Sequence, residues 1–238
     1  GHFAGTLADI GGYSLNYHKH IHTGEGGVAV TNDDDYADRL RLIRNHAEVV
    51  VEDKGVTNLS NMIGHNFRLG EIECAIGIEQ LKKLDKMVRS RQRIARKLDA
   101  GLAGLRGLKT PLVRPDCTHV YYVYSMCLDA NDLGINSQRI YEALRAEGVP
   151  AMVASYQNLH MLPMYREKIA YGTKGFPWTS EICKREVSYG RGVCPVAERL
   201  HESEFLGFGI CSHEFNDEEV EMIIAAFRKV WKNLEALR

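Results

Sequence analysis

Residues 9–27 read Asp9-Ile10-Gly11-Gly12-Tyr13-Ser14-Leu15-Asn16-Tyr17-His18-Lys19-His20-Ile21-His22-Thr23-Gly24-Glu25-Gly26-Gly27. Three chemistries compete for this run. On a strand, His18, His20 and His22 alternate onto one face, neighbours about 6.5–7 Å apart and the outer pair about 13 Å. Metal–nitrogen bonds of about 2 Å then bring all three to one ion only if the backbone bends sharply. Gly24-Glu25-Gly26-Gly27 is a glycine-rich turn whose N–H groups can face a phosphate. Against that, Glu25 puts a carboxylate inside the turn, a strand follows, and the spacing is neither a P-loop nor Gly-x-Gly-x-x-Gly. A tight turn ahead of Val28-Ala29-Val30 accounts for these glycines better. The third chemistry is covalent catalysis by Lys19. A lysine amine forms Schiff bases when desolvation or nearby positive charge lowers its pKa, and the flanking imidazoles and small residues are compatible with that. On residue chemistry alone, a lysine is more often a solvated surface charge.

Beyond this run, 28–30 reads as a short strand running into the turn Thr31-Asn32-Asp33, and 36–45 as an amphipathic helix with Leu40 and Ile43 on one side. The polar stretch 48–61 reads as a loop. Residues 69–102 carry the longest helical pattern, with apolar positions from Ile72 to Leu98, a length that often bridges two domains. Gly101, Gly104 and Gly107 followed by Pro111 and Pro115 mark a boundary, which places domains at 1–103 and 104–238. Residues 119–128 are aromatic and β-branched, a strand in which Tyr121, Tyr122 and Tyr124 serve sheet packing. Asn136 caps a helix reaching Glu147 and closed by Gly148-Val149-Pro150. Residues 155–178 are irregular, Thr179 opens a further helical stretch, and Asn216 or Asp217 caps a last amphipathic helix. Strand and helix alternate, so the fold class is α/β or α+β.

Composition narrows the function classes. The chain has 238 residues, enough for one large or two smaller domains, and 45% of them are hydrophobic. Thirty Lys and Arg against 31 Asp and Glu leave a net charge of −1, so no global positive excess exists to hold nucleic acid or an anionic membrane. No run of 18 apolar residues suggests a membrane span, and the first residues show no signal pattern. The six Cys form no Cys-x-x-Cys pair, which argues against a zinc ribbon or a thioredoxin-type pair. They read as lone buried thiols in a reducing cytoplasm.

The run at 9–27 resembles the active-site segment of the DegT/StrS family, pyridoxal-phosphate sugar aminotransferases of fold type I in the aspartate-aminotransferase superfamily. That pattern is Gly-aromatic-Ser, a lysine five residues after the Ser, then Thr-Gly-Glu-Gly-Gly. The resemblance continues through Asn45-His46, Gly64-His65-Asn66-Phe67-Arg68-Leu69-Gly70-Glu71-Ile72, Ala75-Ile76-Gly77 and Gln80-Leu81. It resumes at His160-Met161-Leu162-Pro163-Met164-Tyr165, Gly175-Phe176-Pro177 and Cys194-Pro195-Val196-Ala197-Glu198-Arg199, so it covers essentially the whole chain in order.

The resemblance implies that Lys19 holds pyridoxal 5′-phosphate as the internal aldimine and then moves a proton between substrate and cofactor. It implies that Ser14 hydrogen-bonds the cofactor phosphate and that Asn66 reaches the phosphate of a neighbouring subunit, so a homodimer shares the active site. Arg68, His160 and Tyr165 are implied on the substrate side. The implied reaction moves an amino group, usually from glutamate, onto a keto-sugar, commonly nucleotide-linked, in the cytoplasm. Relatives with His at the lysine position perform dehydration, so Lys19 favours transamination. The phosphate-cup loop, the ring-stacking aromatic and the Asp for the ring nitrogen, which precede this run in the family, have no match here. The chain is therefore expected to be N-terminally incomplete, the remainder of a large cofactor domain plus a small C-terminal domain, with apolar faces exposed. Two rival readings are an incomplete relative serving as an interaction or regulatory module and a His-cluster metal protein.

Overall fold

The computed structural model describes residues 1–47, 60 and 62–238, so the stretch expected as a loop at 48–61 lies largely outside the described residues. The chain divides into two compact units, Gly1–Ser90 with Val113–Val120, and Arg91–Leu112 with Tyr121–Arg238. The division falls inside helix α3 (Leu84–Leu102), whose buried face, Arg91, Ile94, Ala95, Leu98 and Leu102, starts where the second unit starts.

In the first unit, strands β1 (Gly11–Ser14) and β2 (Gly27–Val30) form an antiparallel pair with Ser14 opposite Gly27. Helix α1 (Asp34–Arg44) starts where the Asp33 carboxylate accepts the Tyr36 N–H at 2.9 Å. Asp34 and Asp35 in its first turn and Arg41 and Arg44 in its last complement the helix dipole. The helical pattern expected as one element at 69–102 is two helices, α2 (Glu71–Leu81) and α3. Lys83 N–H turns back to the Gln80 carbonyl at 3.0 Å between them. The reason lies in burial: α2 buries no residue, whereas α3 carries a continuous apolar stripe. Among the described residues of this unit only Thr23 and Leu42 are buried, while Phe3 and Ile72 stand 84% and 75% exposed.

The second unit has the core. Strands β3 (Leu108–Lys109), β4 (Tyr124–Leu128), β5 (Met152–Val153) and β6 (Phe205–Phe208) form an antiparallel sheet ordered β3-β4-β6-β5. Tyr124, Met126 and Leu128 alternate inward along β4, as a half-buried strand requires. Within this unit, α3, α5 (Ser137–Ala146) and α8 (Asp217–Lys232) contribute Ile94, Leu98, Ile140, Leu144, Ile224 and Phe227 to the core. Between β4 and α5 lies the single turn α4 (Ala130–Leu133). Asn136 caps α5 through Arg139 N–H, and Asn216 caps α8 in a capping box with Glu219.

Three further expectations change. The strand expected at 119–128 shrinks to β4, because Tyr121 takes a positive φ of 54° that interrupts extended backbone. Thr179 opens no helix; 179–194 is irregular, with turns only at its ends, and helix resumes at α7 (Pro195–Arg199), after the single turn α6 (Pro163–Arg166). The cysteines are free but not buried: Cys74, Cys117 and Cys194 are exposed and the other three half-buried. Among the described residues, no helix is long and apolar enough to cross a membrane.

Candidate active site

Lys19 rides on the loop 15–26 that joins β1 to β2. The loop closes on itself through Leu15 N–H to the Gly26 carbonyl at 2.9 Å and Thr23 N–H to the Leu15 carbonyl at 3.0 Å. The buried Thr23 hydroxyl donates to the Glu25 carbonyl at 2.8 Å. Gly26 sits at φ 150°, and a Cβ there would lie 2.9 Å from Thr23 Oγ1 and 3.0 Å from Leu69 Cδ1. The turn therefore needs glycine both for conformation and for space. Across the loop, Asn16 Nδ2 donates to both Glu25 carboxylate oxygens, at 2.7 and 2.8 Å. Asn16 O also accepts Lys19 N–H at 3.0 Å, which fixes the backbone of the lysine. The Lys19 amine lies 3.2 Å from His18 Nε2, and the side chain is half-buried. This arrangement holds a primary amine beside an imidazole on a loop with few internal degrees of freedom.

Ser14 ends β1 and is exposed. Its Oγ accepts Asn16 N–H at 3.2 Å, which leaves the hydroxyl proton for an anionic acceptor. His18, His20 and His22 take separate partners. His20 Nε2 lies 2.6 Å from the Val120 carbonyl, and His22 Nδ1 accepts Gly24 N–H at 3.4 Å. Among the described residues, no group of three His, Cys, Asp or Glu side chains is placed to hold a metal.

Asn66 and Arg68 lie on a second segment of the same unit, paired with the end of α1. His65 N–H bonds the Ile43 carbonyl at 2.7 Å, His46 N–H the His65 carbonyl at 3.0 Å, and Phe67 N–H the Arg44 carbonyl at 2.9 Å. Asn45 and Asn66 form a β-bridge, and Arg68 donates to Asn45 Oδ1 at 2.6 Å. At Gly64 a Cβ would fall 1.9 Å from the His46 carbonyl carbon, so only glycine allows this approach. The Asn45-His46 and Gly64–Leu69 motifs, distant in sequence, thus form one structure. The Asn66 side chain is exposed and bonds no described residue.

His160 and Tyr165 lie in the second unit. His160 Nε2 is 2.9 Å from Glu198 Oε1, with both side chains largely buried. The Tyr165 ring packs with those of Trp178 and Tyr189. The bond from Gly192 N–H, then that from His160, holds the Glu198 carboxyl below the usual carboxylate range. Sequence reasoning missed Asn16, Glu25 and Glu198 as ordering groups. For Glu198 the signal was its place in the motif Cys194-Pro195-Val196-Ala197-Glu198-Arg199, which the structure folds as α7 with Cys194 as its N-cap.

By residue chemistry, Lys19, Ser14 and Asn66 are of the types that would hold a phosphorylated aldehyde cofactor. They offer a lysine amine, a serine hydroxyl with an uncommitted proton and an exposed asparagine amide. A sequence profile of the DegT/DnrJ/EryC1/StrS aminotransferase family matches residues 1–227. The chain is 27% identical to the putative pyridoxal phosphate-dependent aminotransferase EpsN of Bacillus subtilis, over 94% of this chain and 55% of that protein. It is 31% identical to the GDP-perosamine synthase of Caulobacter vibrioides, over 68% of this chain and 42% of that one. Its structure is similar to that of the aminotransferase TlmJ from Streptoalloteichus hindustanus, with a TM-score of 0.70, 25% identity, and coverage of 97% of this chain and 54% of that one. The chain spans about half the length of the curated relatives it matches. By profile, motif order and fold, the chain belongs to the DegT/DnrJ/EryC1/StrS aminotransferase family.

Proposed function

We propose that this chain carries the lysine-bearing part of a pyridoxal-phosphate-dependent aminotransferase that acts on a nucleotide-linked keto-sugar with glutamate as amino donor. The observation that carries the reading is Lys19 on the closed loop between β1 and β2, ordered by Asn16, Thr23 and Glu25. When bound, the cofactor supplies an electron sink that lets a Cα proton leave and an amino group change carrier. Lys19 Nζ is the covalent attachment point and afterwards holds the proton in transit, with His18 Nε2 beside it. The Ser14 hydroxyl donates to a phosphate oxygen, and the free Asn66 amide reaches the phosphate of a neighbouring subunit, so the working species is a homodimer. Arg68 and Tyr165 serve the substrate side, and His160 does so through its bond to Glu198. The GDP-sugar in the name of one relative supports a nucleotide-linked substrate. Six free thiols suit a cytoplasmic enzyme.

The test is Lys19→Ala in a protein of the relatives' full length that carries this sequence. The absorbance of covalently bound cofactor and the transfer of an amino group to the keto-sugar should both disappear. Turnover retained by the variant would overturn the assignment.

A further inference from the structure

Between β5 and β6 the second unit makes a long excursion, 154–204, without a strand among the described residues. One buried side chain draws its segments together. Glu198 accepts Gly192 N–H at 2.8 Å and Cys194 N–H at 3.1 Å, and lies 2.9 Å from His160 Nε2. The 3₁₀ turn Leu159–Met161, the loop 190–194 and helix α7 therefore meet on one carboxylate. The residues flanking two of these segments meet again through aromatic rings. Tyr165, just after His160, and Tyr189, just before Gly192, have ring centroids 5.6 Å apart. Trp178 packs edge-on against both and donates its indole N–H to the Tyr189 hydroxyl at 2.9 Å.

The nearby cations are engaged elsewhere, Arg191 by Glu202 at 2.6 Å and Arg199 by Glu204 at 2.9 Å. The charge on Glu198 is thus met by fixed N–H donors and an imidazole. A buried carboxylate held this way tolerates little displacement, because each lost donor leaves an acceptor dry.

We propose that Glu198 is the positioning residue of this excursion: its carboxylate sets the 160–165 segment against the 189–194 segment, and thereby the arrangement of Tyr165, Trp178 and Tyr189. The consequence for catalysis rests on the aminotransferase reading; the structural claim does not.

The experiment uses the full chain in a Trp231→Phe background, so that emission reports Trp178 alone. In Glu198→Gln, exchange of the Gly192 and Cys194 amides should accelerate about tenfold or more, a local opening eased by about 1.4 kcal/mol. Trp178 emission should shift to the red together with it, while amides of β4 and β6 keep wild-type protection. His160→Gln, which retains a donor, should preserve most of both signals. Unchanged exchange at the two amides, unmoved Trp178 emission, or protection lost throughout the sheet would each overturn the proposal. Should Glu198→Gln not fold, the wild-type protein decides: the Gly192 and Cys194 amide shifts must follow one midpoint below about pH 4.3, the ordinary glutamate value, and separate midpoints overturn it. In the whole enzyme, Glu198→Gln should raise KM for the sugar with kcat little changed and cofactor absorbance intact. An inactive wild type would sink the aminotransferase reading, and the amide results would still decide this one.

Discussion

Asn16 donates its side-chain amide to both carboxylate oxygens of Glu25, at 2.7 and 2.8 Å, and so bridges the loop that carries Lys19. The pair is solvent-accessible, so its contribution to folding stability is small, below about 1 kcal/mol. Its consequence is the placement of an amine. Glu25→Ala and Asn16→Ala should each weaken loading of the cofactor about two- to tenfold, a coupling of the size contacting pairs show. The double variant should cost no more than either single one. Absorbance titration checks this, and additive losses would show that the two residues act separately.

Tyr124 gives a pH dependence with a definite sign. Its side chain is fully buried in β4, and its hydroxyl donates to Asp99 Oδ1 at 2.5 Å. Burial first, and the Asp99 acceptor next, push the phenol well above its usual range. The unfolded chain therefore releases this proton from about pH 10, while the native state keeps it. Stability contributed by Tyr124 is complete below pH 10 and declines above it by up to about 1.4 kcal/mol per pH unit. Tyr124→Phe should cost about 1–2 kcal/mol at neutral pH, because Asp99 loses a donor. The gap between wild type and variant should then narrow above pH 10 in urea titrations. A constant gap would contradict the linkage.

Asn216 accepts Glu219 N–H at 2.9 Å while the Glu219 carboxylate accepts Asn216 N–H at 2.7 Å, which closes both ends of a capping box on α8. Because α8 supplies Ile223, Ile224 and Phe227 to the second unit, fraying of its first turn loosens the core. Asn216→Ala should lower stability by about 1 kcal/mol, read from the urea midpoint at unchanged m value. Asn216→Asp should lose little.

These elements were legible to different degrees, for physical reasons. The α8 cap stood out because its signals are local: Asn216, three acids and an apolar stripe lie within a few turns. The Lys19 loop was legible through its glycines, two of which adopt positive φ. The break between α2 and α3 was hidden because Leu81-Lys82-Lys83-Leu84 contains no helix breaker, and the change from an unburied to a buried helix is tertiary. Glu198 was hidden because two of its partners are backbone N–H groups and the third, His160, is 38 residues away. The pairing of Asn45 with Asn66 was equally invisible, since no local rule links the end of a helix to a segment some twenty residues later.

Burial differs so sharply between the two units that one pair of substitutions separates them. Leu144 is fully buried on α5, whereas Ile72 on α2 stands 75% exposed. Removing a core leucine leaves a cavity that neighbours fill only in part, so Leu144→Ala should cost about 2–5 kcal/mol. Ile72→Ala removes apolar surface that faces water in this structure, and should change the stability of the 238-residue chain by no more than about 0.5 kcal/mol. The same substitution in a protein twice as long has a different meaning, because added chain or a second subunit can cover α2. Measuring Ile72→Ala in both contexts reads that coverage directly. A cost above about 2 kcal/mol only in the longer protein would mean that α2 becomes core there. Equal, small costs in both would mean that its apolar face stays in water.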